Sequence, residues 1–357
     1  MFRSRLGHRS RPVDPSILIG NQKGGVVMAW PLPPLGTLFA ASQFPLSLTA
    51  DGILGFVASS VNAGGRPAQT GAFVRFGEIQ RVSARGKKVL VNDRLLVEAP
   101  SGVAALAIAA RLKQFKDLPP KERARAIEQM LRDSLDATKA RARWEELQKP
   151  LARIRLLTNS VFAFLFVIVP ALIWRFGLSL TWPGLLAVLL LLTTATAISF
   201  WRAHKRFYPA AEDERFTHFL TILLSPATTI RACDVLTRPL LEAFHPLAVA
   251  REFCAPKVFE NLSRRILREL RHPALPHSPH GNPAAAAVER EYRELLLKIA
   301  EEFLTKQQLK PDALLQAPRA EDGCRSYCPR CLAQFTSDSG VCEDCGGLPL
   351  LRLPASC

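Results

Sequence analysis

The residues best spaced to do chemistry stand near the end of the chain, in "YCPRCLAQFTSDSGVCEDCGG", residues 327–347. Cys328 and Cys331 make one Cys-x-x-Cys pair, Cys342 and Cys345 a second, with ten residues between the pairs. A two-residue spacer lets both thiolates of a pair reach one ion, and two pairs facing each other across a short hairpin complete a tetrahedral all-sulfur site. Pro329 inside the first pair and Gly346 and Gly347 after the second supply the turns that bring backbone close to sulfur. Zinc is the expected ion, ahead of iron. Protein fills all four positions and leaves none for water or substrate, so the expected role of the metal is structural.

This stretch resembles a zinc ribbon, over residues 327–353 of a module drawn here as 324–353. The resemblance implies a small hairpin unit of the kind found at the ends of many otherwise unrelated proteins. So short a module buries too little surface to fold alone, and metal binding, roughly 10–16 kcal/mol in apparent terms, becomes its folding energy. Thiolates persist as metal ligands in a reducing compartment. Arg325, Arg330 and Arg352 are offset by Asp338, Glu343 and Asp344, which removes the basic surplus that phosphate contact requires. A protein partner is therefore expected rather than nucleic acid. Cys324 and Cys357 are spare thiols; Cys324 is an alternative ligand, and an exposed free cysteine is the plainer reading.

Other chemical signals are weaker. "GNQKGGVVMAW", residues 20–30, is similar to the opening of the deviant phosphate loop of ParA-type ATPases, but Val27, Met28 and Ala29 replace the Gly, Lys and Ser or Thr that would hold phosphate and magnesium. Met28 is also an alternative start residue. His272, His277 and His280 lie in "RHPALPHSPHGNP", whose composition reads as a linker, 272–284, rather than a ligand set. Cys233 and Cys254 read as core thiols, and His245 as a helix-boundary residue. No catalytic constellation is visible, and no enzyme is expected.

The elements that carry the cysteine module include two membrane segments. Residues 156–174, "LLTNSVFAFLFVIVPALIW", hold no charge and span about 28 Å as a helix, close to the hydrocarbon thickness. After Arg175 a second uncharged run leads through a turn-rich connector, "FGLSLTWPG", to a span at 184–201. Trp174, Trp182 and Trp201 mark the ends of these runs, where an indole favours the interface. Net charge is +16, from 47 basic and 31 acidic residues, and the excess is concentrated before residue 272. Lys149, Arg153 and Arg155 precede the first span, Arg202, Lys205 and Arg206 follow the second, and only Arg175 lies between. The positive-inside rule then places both termini in the cytoplasm. "MFRSRLGHRSRPVDPS" has no apolar run behind its basic residues, so no signal peptide is expected.

Residues 44–118 read as short strands separated by Asp51-Gly52, Arg85-Gly86 and Asn92-Asp93 turns, closed by a helix that Ser101 caps and that buries Val103, Leu106, Ile108, Leu112 and Phe115. Across "FGEIQRVSARGKKVLVNDRLLVEAPSGVAALAIAARLKQF" this pattern resembles the PH-like domains of bacterial membrane proteins, which implies a bacterial inner membrane. Arg85, Lys87, Lys88 and Arg94 around two of its turns suit anionic lipid headgroups. A basic, Pro-rich arm over 1–43 is expected to be disordered. Residues 119–155 form an amphipathic juxtamembrane stretch that Pro150 breaks or kinks, with Ile127, Met130, Leu131, Leu135, Trp144 and Leu147 on its apolar face. Residues 202–271 are expected to be a helical cytoplasmic region broken at Pro226, Pro239, Pro246 and Pro256, and 285–309 an amphipathic helix that packs on it or pairs with a second copy.

The fold class is thus a multidomain α+β membrane protein: a PH-like β domain with a closing helix, a transmembrane helical hairpin, a helical region and a zinc ribbon. The expected function is a membrane-tethered interaction scaffold or assembly factor. An accessory subunit of an envelope enzyme or transporter is the alternative, and a nucleic-acid-binding ribbon protein a further one.

Overall fold

The computed structural model describes residues 46–61, 67–273 and 282–354. The arm 1–43, the stretch 20–30, His277, His280 and Cys357 lie outside them. The chain divides into two compact units, one holding 44–141 with 247–357 and the other 142–246. That division falls inside 202–271, the stretch read above as one helical region. The described chain is mostly helical, with small antiparallel sheets.

In the first unit β1 (Leu46–Leu48), β2 (Gly52–Val61) and β3 (Pro67–Arg75) form an antiparallel sheet in chain order. A second sheet of β4 (Val82–Arg85), β5 (Lys88–Val91) and β6 (Arg94–Glu98) repeats that order. Asn92 and Asp93 both take positive φ, 50° and 62°, as a two-residue hairpin demands. The Asn92 amide fixes the turn: Oδ1 accepts from the backbone N–H of Gln80 at 2.8 Å and Arg81 at 3.0 Å, while Nδ2 donates to the Glu78 carbonyl at 2.7 Å. The two sheets meet where Gly55 of β2 faces β6. A Cβ there would lie 2.2 Å from the Leu96 carbonyl oxygen, so the close approach requires glycine.

Helix α1 (Gly102–Lys116) starts on Ser101, whose Oγ accepts from the Ala104 N–H at 3.1 Å. Its buried face is Ala104, Ala105, Ile108, Ala109, Leu112 and Phe115. The expected Val103 and Leu106 sit only half-buried beside it, because small residues let the helix settle close to the sheet. Helix α2 (Pro120–Ser134) buries Ile127 and Leu131 as its periodicity predicts. It also buries Arg123, which composition alone assigns to the charged face. Arg123 donates to the carbonyls of Phe115 (2.8 Å), Ala50 (2.5 Å) and Leu118 (2.7 Å), and its guanidinium lies 4.0 Å from the Phe76 ring centroid. One side chain thereby ties the β1–β2 turn to the α1–α2 junction.

The next helix, α3 (Ala137–Ala163), runs through Pro150 without interruption. Ala137, Ala140, Trp144, Leu147, Leu151, Ile154, Thr158 and Val161 are all buried, at alternating steps of three and four, so one continuous stripe holds the helix together and outweighs the missing proline donor. A wide π turn at Phe164–Ile168 follows, then α4 (Val169–Phe176), which contains Pro170 and buries none of its residues. The chain reverses at Gly177 (φ 74°) and enters α5 (Leu178–Phe207). The expected connector is therefore almost wholly helical: Trp182 and Pro183 belong to α5, and a single glycine with left-handed backbone makes the turn. Two helices, Ala137–Phe176 and Trp182–Phe207, are long and apolar enough to cross a membrane. They present large apolar side chains outward, with Phe166 70% and Leu191 69% exposed.

Still in the second unit, α6 (Glu212–Leu224), a 3-10 turn at Pro226–Ile230 and α7 (Arg231–Glu242) follow. Pro226 opens its element as expected, but Pro239 lies inside α7 and does not break it. Back in the first unit, α8 (Pro246–Phe253), α9 (Pro256–Arg271), α10 (Pro283–Lys306) and the single turn α11 (Pro311–Leu314) complete the helices. Helix α10 packs on α9 and on β1 and β2 of the same unit, with Val288, Ile299, Ala300 and Leu304 buried. Arg132 of α2 joins Glu302 of α10 at 2.6 Å, and Arg271 of α9 joins Glu301 at 2.8 Å.

Candidate metal centre

Five two-residue strands frame the four cysteines. Strand β7 (Ser326–Tyr327) is central in a three-stranded sheet between β8 (Gln334–Phe335) and β11 (Leu351–Arg352), while β9 (Val341–Cys342) pairs with β10 (Leu348–Pro349). Strands this short are held by bonds outside the ladders: Arg325 N–H donates to Phe335 O at 2.9 Å, Leu350 N–H to Gly340 O at 3.0 Å, and Ser326 Oγ to Ser337 O at 2.7 Å.

Each Cys-x-x-Cys pair is followed directly by a residue of positive φ. After Cys345 it is Gly346 (φ 77°); after Cys331 it is Leu332 (φ 62°). The first pair closes through Leu332 N–H to Cys328 O (2.9 Å) and Cys328 N–H to Ala333 O (2.9 Å), the second through Gly347 N–H to Cys342 O (2.9 Å). The two knuckles so formed point at one spot. The ligand atoms of Cys328, Cys331, Cys342 and Cys345 all lie within 4.8 Å of one another, and the Sγ atoms of Cys331 and Cys342 are 3.8 Å apart. A regular tetrahedron of sulfurs about 2.3 Å from a central zinc has edges of about 3.8 Å. A disulfide would bring the pair to about 2.05 Å. Four soft donors at this spacing fit a metal ion of zinc's size and preference.

Burial pushes the thiols of Cys342, to about 11, and Cys345 upward, and for both the crowding by Cys328 and Cys331 adds to the effect. Burial also opposes ionisation of Cys328, but backbone N–H groups of Cys331 and Arg330 and the thiols of Cys331 and Cys345 together outweigh it and hold that thiol below its ordinary value. One thiolate is thus favoured electrostatically, and further ones need a cation among them. All four cysteines named from the spacing come together; Cys324 is not among them. The role of Leu332 was not legible, since no residue type signals a left-handed leucine.

Elsewhere, Cys233 has its thiol pushed up to about 11 by burial, and burial raises Cys254 as well, as expected of packed, unreactive cysteines. Burial depresses His245 to about 4. Arg85, Lys87 and Lys88 are exposed at the β4–β5 turn, whereas Arg94 stands across the β5–β6 turn at the opposite end of β5. The four basic residues therefore do not form one patch. No protein-family model, curated protein or solved structure matches the chain.

Proposed function

We propose that this chain is a two-span integral membrane protein that holds a zinc ribbon in the cytoplasm as a docking module for a protein partner, acting as a membrane-tethered scaffold or assembly factor. The observation that carries this reading is the pairing of a closed four-thiol cluster with two long helices whose apolar side chains face outward. A closed site supports shape rather than turnover, and outward apolar helices find their solvent in lipid. The basic flanks, Lys149 to Arg155 and Arg202 to Arg206 against the lone Arg175, support cytoplasmic termini, the side on which thiolates stay reduced.

Several features of the ribbon favour protein over nucleic acid. Arg325 is paired with Asp338 at 3.2 Å, and Val341 and Leu351 expose apolar side chains. Two three-stranded meanders followed by one packed helix support the PH-like reading of 44–118. On this reading the β4–β5 turn offers three cations to an anionic leaflet.

The test is purification of the full chain from carbonate-washed membranes, with metal analysis and identification of bound proteins, beside Cys328→Ser. One zinc per chain and a partner that the variant loses, while the variant stays in the membrane, is the expected result. Release by carbonate removes the membrane half of the proposal. Unchanged zinc content in Cys328→Ser removes the ribbon half.

A further inference from the structure

We infer a third membrane-embedded element: the hairpin of α6, the 3-10 turn and the start of α7 sinks its charge-free part, Phe216–Ile230, into the interface of the leaflet from which α5 emerges. The inference rests on the membrane reading of the two long helices and goes beyond it. Between Arg215 and Arg231 the chain has no Asp, Glu, Lys or Arg for fifteen residues. A run of that length is too short to cross a bilayer and suits a shallow re-entrant or interfacial element.

The packing sets the depth. Helix α6 turns back along α5: Phe219 meets the Trp201 ring edge-on at 5.3 Å, and the Arg215 guanidinium lies 4.8 Å from the centroid of the same indole. The hairpin tip reaches α3, where Thr158 Oγ1 donates to Thr229 O at 3.3 Å. Thr158 is two residues inside the charge-free run that begins at Leu156, so the tip stands about 3 Å within the apolar boundary. Trp201 marks the same boundary on the other helix.

Two further observations accord with contact to lipid. The side chains left outward on this hairpin include Phe216, 55% exposed, and Leu224, 78% exposed, as Leu190, Leu191 and Ile198 are on α5. The hydroxyls also bond inward: Thr217 to Asp213 O, Thr221 to Thr217 O, Thr228 to Ser225 O and Thr229 to Pro226 O, all at 2.7–2.8 Å. Hydroxyls at membrane depth need internal acceptors of this kind.

Tryptic cleavage after Arg215 and Arg231 isolates residues 216–231, which permits a test on the unmodified chain. The full-length protein is reconstituted alone, at low protein-to-lipid ratio, in phosphatidylcholine–phosphatidylglycerol vesicles doped with a phosphatidylcholine carrying a diazirine in its acyl chain. After photolysis, lipid adducts are counted by peptide. Adducts on 216–231 at ~10-fold or more the yield on 307–319 are expected, beside adducts on the peptides of the two long helices. Adducts on the long helices but background yield on 216–231 would overturn the inference and leave the membrane reading standing. Background yield on all three would remove both.

Discussion

The C-terminal module and the sheet–helix body belong to one compact unit, yet they exclude water by different means. The body has a large apolar core in which Ile53, Val89, Leu96, Leu112, Ile127, Leu267, Ile299 and Leu304 are buried together. In the module the buried cluster is Cys328, Cys342, Cys345 and Leu348, edged by Phe335 and Leu350. Three of its four buried members are the sulfurs' own residues. The body thus buries apolar area, whereas the module gathers four potential metal ligands at its centre.

On the proposed zinc-bound reading, removing the metal should separate the two regions most sharply. Chelation or Cys345→Ser takes away binding energy on the order of 10 kcal/mol, so amide protection should vanish across 324–353 while helix 283–306 keeps its own. Acid acts in the same direction. Thiols such as Cys342, pushed up to about 11 by burial, must lose their protons to bind, so metal affinity should fall as pH falls and loading should release protons, measurable by calorimetry in two buffers. Arg123→Ala breaks the body instead. It removes the donors to the carbonyls of Ala50 and Leu118 and one of those to Phe115, with an expected loss of about 2–4 kcal/mol in denaturant unfolding and no change in metal content. Gly55→Ala forces a methyl into the Leu96 carbonyl and should cost about 1–3 kcal/mol in the same assay. The smallest change works the other way: Leu332→Gly relieves a left-handed leucine and should stabilise the module by about 1 kcal/mol, seen as tighter metal binding.

Much of this architecture is legible in the sequence because its signals are local. The Cys-x-x-Cys spacing, the Asn92-Asp93 turn and the Ser101 cap each need only a few neighbouring residues, and all three stand as read. Apolar periodicity likewise places Ile127, Leu131, Leu135, Trp144 and Leu147 on a buried face. The failures come where tertiary packing overrides a local preference. Pro150 and Pro239 read as breakers and Pro183 as part of a connector, yet each lies inside a helix. Arg123 reads as a solvated charge because its three acceptors lie in segments remote from its own helix or beyond its start. The packing of 216–230 on Trp201 and Thr158 was likewise not legible, since both belong to other helices.

The π turn at Phe164–Ile168 carries a consequence for how the first long helix meets its surroundings. One additional residue in a turn rotates everything after it by about 100° about the axis. The stripe that begins at Ala137 reaches its last buried member, Phe164, at the start of that turn, and in Val169–Phe176 no residue is buried, with Val169, Leu172 and Ile173 half-buried. Deleting a single residue there would turn Val169–Phe176 about the axis and exchange its half-covered side chains for others, altering which neighbours it greets while leaving its greasiness untouched.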